Sequence, residues 1–489
     1  MFVIGSAQVV NILVSVIRMK VVAVLLGPSG VGLLSIFVNL QALVKQGASL
    51  GMGSSGVREI ASSRSEEASL GRVRRVLFAA LLLQGVLAML GVWILRAPLA
   101  VLLFDDAGLA PQVGLVGVAV LLAMLGTAQT ALLQGMRKIS ELARVTVIGT
   151  LVGTLAGLLA VWWQGERGLI WLVIVQPLAL VVIALAYTRS LPRPPDAQLQ
   201  LREIWQGWKP MVVLGFAFML GGLASSATLL LVRGRISQEL GLDAAGHFAA
   251  AWGISTTYIG FLLGAMGADY YPRLTEIIND KSAAIRLMND QAQLGLAIGG
   301  PVLLLLIGLA PWLITLMYSG EFGPAGTMLQ WQTVGNVFKL ASWALGYSVA
   351  ASALGKTFLA VQLNFNIVFL LLLWPSLSTF GIQVAGPAFA IAHVVHFALL
   401  NFLVRRIHGF RWQGLSLGLL ALHSILAVAL LAAAFTAPLM AAIASPIVAF
   451  ATGLFGLRVV LIKVGPEGRL ASKLARIYAA IGWPIKEAS

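Results

Sequence analysis

The sequence contains no cysteine, and only 10% of its 489 residues are charged. Without cysteine the chain has no disulfide framework, no thiolate nucleophile and no cysteine-ligated zinc or iron–sulfur site. Soluble domains carry about 25% charged residues, so a water-soluble enzyme of this length is excluded. The absence of a glycine triplet period excludes a collagen-like chain. The 59% hydrophobic content excludes a disordered one.

Long hydrophobic runs take the place of the missing charges. A membrane-spanning helix needs about 20 consecutive apolar residues. Runs of this kind, interrupted by polar loops, predict an all-α polytopic membrane protein with about fourteen transmembrane helices. The predicted spans are 2–26, 31–56, 76–99, 113–135, 145–164, 168–188, 210–232, 246–268, 291–318, 326–352, 357–378, 384–404, 415–436 and 445–464.

The net charge of +15 is distributed unevenly along the chain. With the N-terminus in the cytoplasm, 24 of the 33 Lys and Arg residues fall in inner segments and four in outer ones. Cytoplasmic loops of membrane proteins are enriched in these residues, so both termini are predicted to be cytoplasmic. The excess charge then reflects topology and contact with anionic membrane lipids, and no nucleic-acid partner is expected.

The longest polar stretch between the first twelve spans divides the chain. It predicts an N-lobe of six spans over 1–188, a cytoplasmic linker with an interfacial helix over 189–209, and a C-lobe of six spans over 210–404. A final helix pair over 405–464 and a cytoplasmic amphipathic tail over 465–489 follow.

A short internal repeat relates the two lobes. The motif LGPSGVG at residues 26–32 follows the first span, and LGLDAAG at residues 240–246 follows the seventh. Because an even number of spans separates them, the two lobes have the same orientation in the membrane. This arrangement is typical of transporters that hold their substrate between two parallel lobes.

Several patterns resemble catalytic motifs without their structural context. Residues 51–56 match G-x-G-x-x-G, but a membrane span precedes them where a nucleotide site requires a strand. Residues 355–357 resemble the end of a P-loop that lacks its first glycine. His393 and His396 are predicted to be hydrogen-bonded to neighbouring helices, with a proton relay or a ligand role as the alternatives. We therefore expect no enzyme activity, no cofactor and no metal site.

Basic residues inside three predicted spans are the most informative feature. A Lys or Arg at the centre of a membrane helix costs roughly 2.5–3.5 kcal/mol, so such residues usually face a water-filled cavity. Each lies on a polar stripe at helical spacing, which predicts a hydrophilic cavity with cationic walls. The stripes are Gln8, Asn11, Ser15 and Arg18; Gln41, Lys45 and Ser49; and Gln332, Asn336, Lys339 and Ser342.

The acidic residues favour an anionic ligand for this cavity. Every Asp and Glu falls in a loop or near the end of a predicted span. Pairing of the buried cations with carboxylates is the alternative, but no carboxylate lies at the same depth. Arg and Lys bind phosphate and pyrophosphate well. Arg18, Lys45 and Lys339 are therefore predicted to hold a pyrophosphate, assisted by Asn11, Gln41 and Asn336.

Three segments carry a family resemblance: LGPSGVGL at 26–33, YPRLT at 271–275, and WQTVGNVFK at 331–339 followed by Gly346 and Tyr347. Over residues 1–404 the sequence resembles the Wzx-type flippases of the multidrug/oligosaccharidyl-lipid/polysaccharide (MOP) exporter superfamily. These include the O-antigen flippases of lipopolysaccharide synthesis and the flippases of enterobacterial common antigen. Members of this family place cations of helices 1 and 2 in the cavity, which correspond to Arg18 and Lys45.

The resemblance implies a transporter of the bacterial inner membrane. Its substrate would be an undecaprenyl-pyrophosphate-linked oligosaccharide, moved from the cytoplasmic to the periplasmic leaflet by alternating access. A polysaccharide polymerase, a chain-length regulator and a coupling ion, H⁺ or Na⁺, are the further partners expected. The alternatives are a MurJ-type lipid II flippase and a MATE-type cation-coupled drug exporter, and a cavity without carboxylates disfavours the exporter.

Overall fold

The described part of the chain is helical. The computed structural model describes residues 2–64, 66–189, 191, 201–352, 354–465, 469–480 and 482–483, and no strand occurs among them. Within a bilayer the backbone has no water to bond, so each spanning segment must satisfy its own N–H and C=O groups, as a helix does. The prediction of an all-α polytopic membrane protein is confirmed.

Fifteen α-helices and four short 3₁₀ helices make up the described part. The 3₁₀ helices are Ala107–Leu109, Gly165–Gly168, Gly320–Phe322 and Gly381–Val384. The α-helices are α1 (Phe2–Ser49), α2 (Met52–Ser62), α3 (Glu67–Ile94), α4 (Arg96–Phe104), α5 (Ala110–Gly135), α6 (Ile139–Gln164), α7 (Leu169–Thr188), α8 (Leu201–Ile277), α9 (Lys281–Met317), α10 (Gly323–Ala351), α11 (Gly355–Phe380), α12 (Ala385–His408), α13 (Gly414–Thr436), α14 (Pro438–Val464) and α15 (Arg469–Ala480).

The helices account for the fourteen predicted spans. Nine helical stretches of the described chain are long and apolar enough to cross a membrane, and four of them contain two predicted spans each. The remaining span is α10, which is not among the nine. Its buried side chains include an unusual share of polar ones, which are Gln330, Gln332, Thr333, Asn336, Ser342 and Ser348. Neighbouring helices rather than lipid therefore surround α10.

The chain divides into two compact units. Unit 1 consists of Met1–Ala249 and Met317–Glu321, and unit 2 consists of Ala250–Leu316 and Phe322–Ser489. In unit 1, Phe37 of α1 packs edge-on against Phe104 of α4 with ring centroids 5.5 Å apart. In unit 2, α8, α9, α10 and α13 share a core that includes Leu303 and Leu340. The division into two lobes of six spans and a final pair remains a prediction.

The second predicted span ends earlier than expected. We predicted a span over 31–56, but α1 ends at Ser49. Leu50 and Gly51 both have positive φ, 48° and 73°, which the helical backbone cannot continue. Residues 52–62 then form the separate helix α2, where we predicted the end of a span and the start of a basic loop. Hydropathy does not report backbone dihedral angles, so it carries no signal for this break.

Both predicted amphipathic segments contain helix. Residues 201–209 form the first turns of α8, which continues without a break into the next span. The tail forms α15, and the Tyr478 hydroxyl donates to the carbonyl oxygen of Leu454 in α14 at 2.6 Å. Residues 192–200, including three prolines, and Ile481 lie outside the described residues. A position of either segment at the membrane surface remains a prediction.

The two repeat motifs bend their helices in the same way. Gly27 has φ 65° and ψ −163°, and Gly241, at the same place in the second motif, has φ 84° and ψ 172°. This backbone conformation is available to glycine alone. Each motif therefore places a glycine-dependent kink between two spans, and the short repeat in the sequence is a repeat in the structure.

The two motifs also pack against each other reciprocally within unit 1. A Cβ atom added to Gly32 would overlap the carbonyl oxygen of Leu242, and one added to Gly246 would overlap that of Pro28. Gly32 and Gly246 are the seventh residues of their motifs, and Pro28 and Leu242 are the third. The contact is therefore symmetric: the seventh residue of each motif lies on the third residue of the other.

This crossing predicts a site of low tolerance to added volume. Gly246→Ala should lower the free energy of unfolding by about 1–3 kcal/mol, because the new methyl group meets backbone that cannot move aside. Gly260→Ala is the matched control in the same helix, since a Cβ there meets no described atom within 4 Å. The check is the midpoint of thermal unfolding of the purified protein in detergent. Equal midpoints for the two variants would contradict the close crossing.

Candidate functional site

A cavity of about 590 Å³ lies inside unit 1. Residues of α1, α5, α6 and α7 line it, and α1 contributes on both sides of its kink at Gly27. Ligand pockets in proteins typically measure roughly 300–1,000 Å³, so this volume is in the range that holds a small organic or phosphate-bearing group. The kink thus allows two spans of one helix to form two walls of the same cavity.

Four of the six predicted site residues meet in this cavity. Asn11 and Arg18 line it from the first segment of α1, and Gln41 and Lys45 from the second. The polar stripes predicted for the first two spans therefore face one space. No Asp, Glu or His is among the residues described as lining it. The cavity is consequently cationic, with two positive charges and several amide and hydroxyl groups on its walls.

Arg18 is held by an amide across the cavity. Its Nη1 donates to Oε1 of Gln176 in α7, while its Nε is buried without a hydrogen-bond partner in the described structure. Oδ1 of Asn11 is likewise buried and unpartnered, and Nε2 of Gln41 donates to the carbonyl oxygen of Ala119 at 3.1 Å. Part of the hydrogen-bonding capacity of the wall is therefore available to a ligand.

Gln176 is a site residue that sequence reasoning missed. It lies 158 positions from Arg18, so no local spacing connects the two. The signal was present nonetheless, because Gln176 is a polar residue next to Pro177 in an otherwise apolar helix. The rule that identified the stripes of α1 would have marked it as a residue facing a polar space.

The three predicted cations have no carboxylate partner among the described residues. Neither Arg18, Lys45 nor Lys339 forms an ion pair with a carboxylate of the described chain. Ion pairs occur elsewhere, for example between Arg235 and Glu239 and between Lys463 and Asp290. Among the described residues, pairing with Asp or Glu, the alternative explanation, therefore does not apply to these three cations.

The remaining buried cations have other partners. Nζ of Lys20 donates to the carbonyl oxygen of Tyr318, so Lys20 faces away from Arg18 as its helical position predicts. Arg233 is buried, and its Nη1 donates to the carbonyl oxygen of Ser35 at 2.9 Å. Arg458 stacks over the ring of Trp483 at 4.9 Å from the centroid. None of the three lines the cavity of unit 1.

Lys339 and Asn336 belong to unit 2. Both lie on α10, where Asn336 is 1% exposed and Lys339 is half-buried. Nδ2 of Asn336 donates to Oγ of Ser255 at 2.8 Å, which ties α10 to α8, and its Oδ1 is buried without a partner in the described structure. The polar stripe of α10 is thus partly occupied by contacts between helices.

The prediction for the two histidines of α12 was wrong. We expected His393 and His396 to be hydrogen-bonded to neighbouring helices. Among the described residues, both ring nitrogens of His393 and Nδ1 of His396 are buried and have no hydrogen-bond partner. Both imidazoles instead interact electrostatically with Lys339. The sequence indicates that the histidines share a helix face, but not that an aromatic side chain of α11 covers that face.

Comparison with known proteins gives a consistent assignment. The sequence model of the family described as "Polysaccharide biosynthesis protein" matches residues 21–326. The lipid III flippase of Escherichia coli (strain K12) is 23% identical over 388 residues, which are 78% of this chain and 91% of that protein. The protein of the same name from Shigella flexneri matches equally well.

Two solved structures show the same fold. The structure titled "Lipid II flippase MurJ, inward closed conformation" has a TM-score of 0.64 at 14% identity, covering 95% of this chain and 100% of that chain. An inward-facing multidrug resistance MATE family transporter of the MOP superfamily has a TM-score of 0.65 at 15% identity, covering 82% and 94%. The predicted MOP-type transporter fold is confirmed, and the protein is a multi-pass membrane protein.

The bond between Arg18 and Gln176 predicts an energetic coupling. Gln176→Leu removes the hydrogen-bond acceptor of the Arg18 guanidinium. This change should lower the free energy of unfolding by about 1–3 kcal/mol. In an Arg18→Met background the same change should cost much less, because no charge is then left without its acceptor. Gln8→Leu, an exposed cavity residue, is the control. Unfolding midpoints of the four proteins of this cycle give the coupling, and additive effects would refute the bond.

Proposed function

Because the chain belongs to the family of polysaccharide biosynthesis proteins, we propose that it is a flippase for a lipid-linked oligosaccharide. Its substrate is an undecaprenyl-pyrophosphate-linked repeat unit, moved from the cytoplasmic to the periplasmic leaflet of the bacterial inner membrane by alternating access. The name of the curated relative, lipid III flippase, supports this class of substrate. The distribution of Lys and Arg supports cytoplasmic termini.

The observation that carries this proposal is the cationic cavity of unit 1. A pyrophosphate brings the negative charge that Arg18 and Lys45 lack, and its oxygens accept hydrogen bonds from guanidinium and ammonium groups. Asn11 and Gln41 add neutral polar groups on the same walls. Lys339 and Asn336 are proposed as further substrate contacts of unit 2. No carboxylate among the described lining residues competes with the substrate for Arg18 and Lys45, so the pyrophosphate itself can serve as their counter-ion.

Two other transporter functions share the fold. A flippase for the peptidoglycan precursor also carries a pyrophosphate, so the cavity alone fits it, and the match to a lipid II flippase makes it the second candidate. An exporter of cationic drugs needs negative charge in its cavity, and the described lining of the unit 1 cavity offers none. The chemistry of the site therefore favours a lipid pyrophosphate over an organic cation.

Neutralising the cations tests the assignment of the site. Arg18→Ala or Lys339→Ala should stop export of the surface glycan while the amount of protein in the membrane stays unchanged, because the pyrophosphate loses a charged partner. Arg18→Lys keeps the charge and should retain part of the activity. Arg167→Ala, at an exposed arginine of the short helix Gly165–Gly168, is the control. The measurement is the amount of surface polysaccharide, separated on a gel. Normal amounts of glycan in both alanine variants would refute the pyrophosphate assignment.

Deletion of the gene separates the three functions. Loss of one surface glycan, with its lipid-linked repeat units accumulating in the inner leaflet, is the expected result. Lysis upon depletion would instead identify the peptidoglycan precursor as substrate. Unchanged glycans together with increased drug sensitivity would move the protein to the exporter class. Analysis of membrane lipid extracts by mass spectrometry provides the readout.

A further inference from the structure

The two histidines of α12 are buried bases whose hydrogen-bonding needs are not met by the described chain. His393 is 5% exposed, and its ring centroid lies 6.4 Å from that of His396. Nδ1 and Nε2 of His393 and Nδ1 of His396 are buried without a partner in the described structure. A neutral imidazole always has one donor and one acceptor nitrogen, so His393 leaves both kinds of group unsatisfied.

Aromatic rings enclose these imidazoles. The ring of Phe365 in α11 stacks on His393 at 4.3 Å between centroids, and Phe389 of α12 meets it edge-on at 4.5 Å. Such walls exclude water and lower the local dielectric, which makes an unpaired polar group costly and a nearby charge effective. Native proteins rarely keep such groups unpaired, and the exceptions call for a specific explanation.

The charged neighbour of the pair is Lys339. Phe338, next to Lys339 in α10, packs edge-on against Phe397, next to His396 in α12, with ring centroids 6.0 Å apart. The charge of Lys339 therefore acts on both imidazoles.

The helices packed against α12 include α10 and α11, and Trp252 of α8 meets Phe389 of α12 edge-on at 5.5 Å between centroids. In their described residues Lys339 is the charged group that acts on the imidazoles, while α11 contributes the ring of Phe365. Three basic groups therefore share one partly dry site with no described carboxylate among them.

Lys339 and His396 are partly exposed, whereas His393 is buried. Both side chains are half-buried, and neither Nζ of Lys339 nor Nε2 of His396 is among the buried unpartnered atoms. His393 lies one helical turn behind His396 and is enclosed. An anion bound at Lys339 can therefore reach Nε2 of His396 more readily than the buried nitrogens of His393.

We propose that Lys339, His396 and His393 form a binding site for a phosphate group in unit 2, and that proton uptake by the imidazole pair strengthens the binding of that anion. This site rests on the proposed function, since the anion is the pyrophosphate of the lipid-linked substrate. The proton comes from water, forms an N–H bond at an imidazole nitrogen, and returns to water when the anion leaves. No other bond is made or broken.

The physical basis is mutual stabilisation of opposite charges. Without an anion, a proton on His396 adds a second positive charge beside Lys339 and is disfavoured. With a phosphate bound, the same proton is attracted to the negative charge of the phosphate and is favoured. By thermodynamic linkage, an anion that favours the proton is itself favoured by the proton to the same degree. A protonated imidazole also donates from both nitrogens, so His396 gains a second N–H donor when it takes up the proton.

The experiment measures binding of inorganic pyrophosphate to the purified full-length protein in nanodiscs by calorimetry. Arg18→Gln with Lys45→Gln serves as the background, so that residual binding reports on unit 2. In this background His396→Phe should weaken binding roughly tenfold to a hundredfold, because it removes a charge-assisted hydrogen bond. His396→Gln should retain most of the affinity at pH 8, since its amide keeps a donor at the position of Nε2.

The pH dependence distinguishes this site from a structural role. Each linked proton changes the dissociation constant by up to about tenfold per pH unit. Between pH 8 and pH 5.5 the background protein should therefore gain affinity relative to its His396→Gln derivative, and protonation of the ligand itself is common to both. Titrations in buffers of different ionisation enthalpy give the number of protons taken up on binding. This number should fall in the double variant His393→Gln, His396→Gln. His423→Gln, a buried histidine bonded to the carbonyl oxygen of Leu419, should change neither quantity.

The outcomes separate this proposal from the proposed function. If the wild-type protein binds pyrophosphate but the Arg18→Gln, Lys45→Gln background does not, the unit 2 site is refuted and the flippase proposal stands. If the background protein and its His393→Gln, His396→Gln derivative both bind pyrophosphate with the same proton uptake, the linkage between proton and anion is refuted and the flippase proposal stands. If the wild-type protein binds neither inorganic pyrophosphate nor farnesyl pyrophosphate at any pH, both proposals fail. Size-exclusion profiles establish that each variant is folded.

Discussion

A polar group away from water must find a partner, and this requirement governs the structure at every level. It makes the described chain helical, since only a helix satisfies its backbone within one spanning segment. It also decides which helices face lipid. The span with the most polar buried side chains, α10, is covered by its neighbours, and Asn336 and Gln330 bond to α8 and to the carbonyl oxygen of Ile307 in α9. Where the described chain supplies only part of the partners, as around Arg18, the structure leaves a cavity.

Predictability from the sequence depended on whether a feature is local. The polar stripe of Asn11 and Arg18, and that of Gln41 and Lys45, follow from helical spacing alone, and the structure places all four in one cavity. Contacts between distant helices carry no such signal. The bond from Arg18 to Gln176 and the stacking of Phe365 on His393 join segments whose relative position only the fold determines.

Helix ends followed the same distinction. Hydropathy located most of the spans because they lie in long apolar helices, and the cavity-facing polar residues of α1 did not interrupt that signal. The exception is α10, whose polar side chains keep it from the set of helices that are apolar enough to cross a membrane. It misplaced the end of the second span, because the helix ends where Leu50 and Gly51 adopt positive φ, and hydropathy does not report backbone conformation. Gly27 and Gly241 are the opposite case: a short sequence repeat, weak by itself, marks two kinks of the same kind.

The reciprocal packing of the two motifs has a consequence for sequence length. In each motif the seventh position is four residues after the third, so Pro28 and Gly32, like Leu242 and Gly246, lie about one helical turn apart. One inserted residue between them would rotate the glycine by about 100° around its helix and turn a side chain toward the other backbone. Because each motif supplies both a glycine and a glycine's partner, such an insertion would break two contacts at once. The number of residues between the third and seventh positions is therefore fixed in both motifs, because a change in either one disrupts the packing of both.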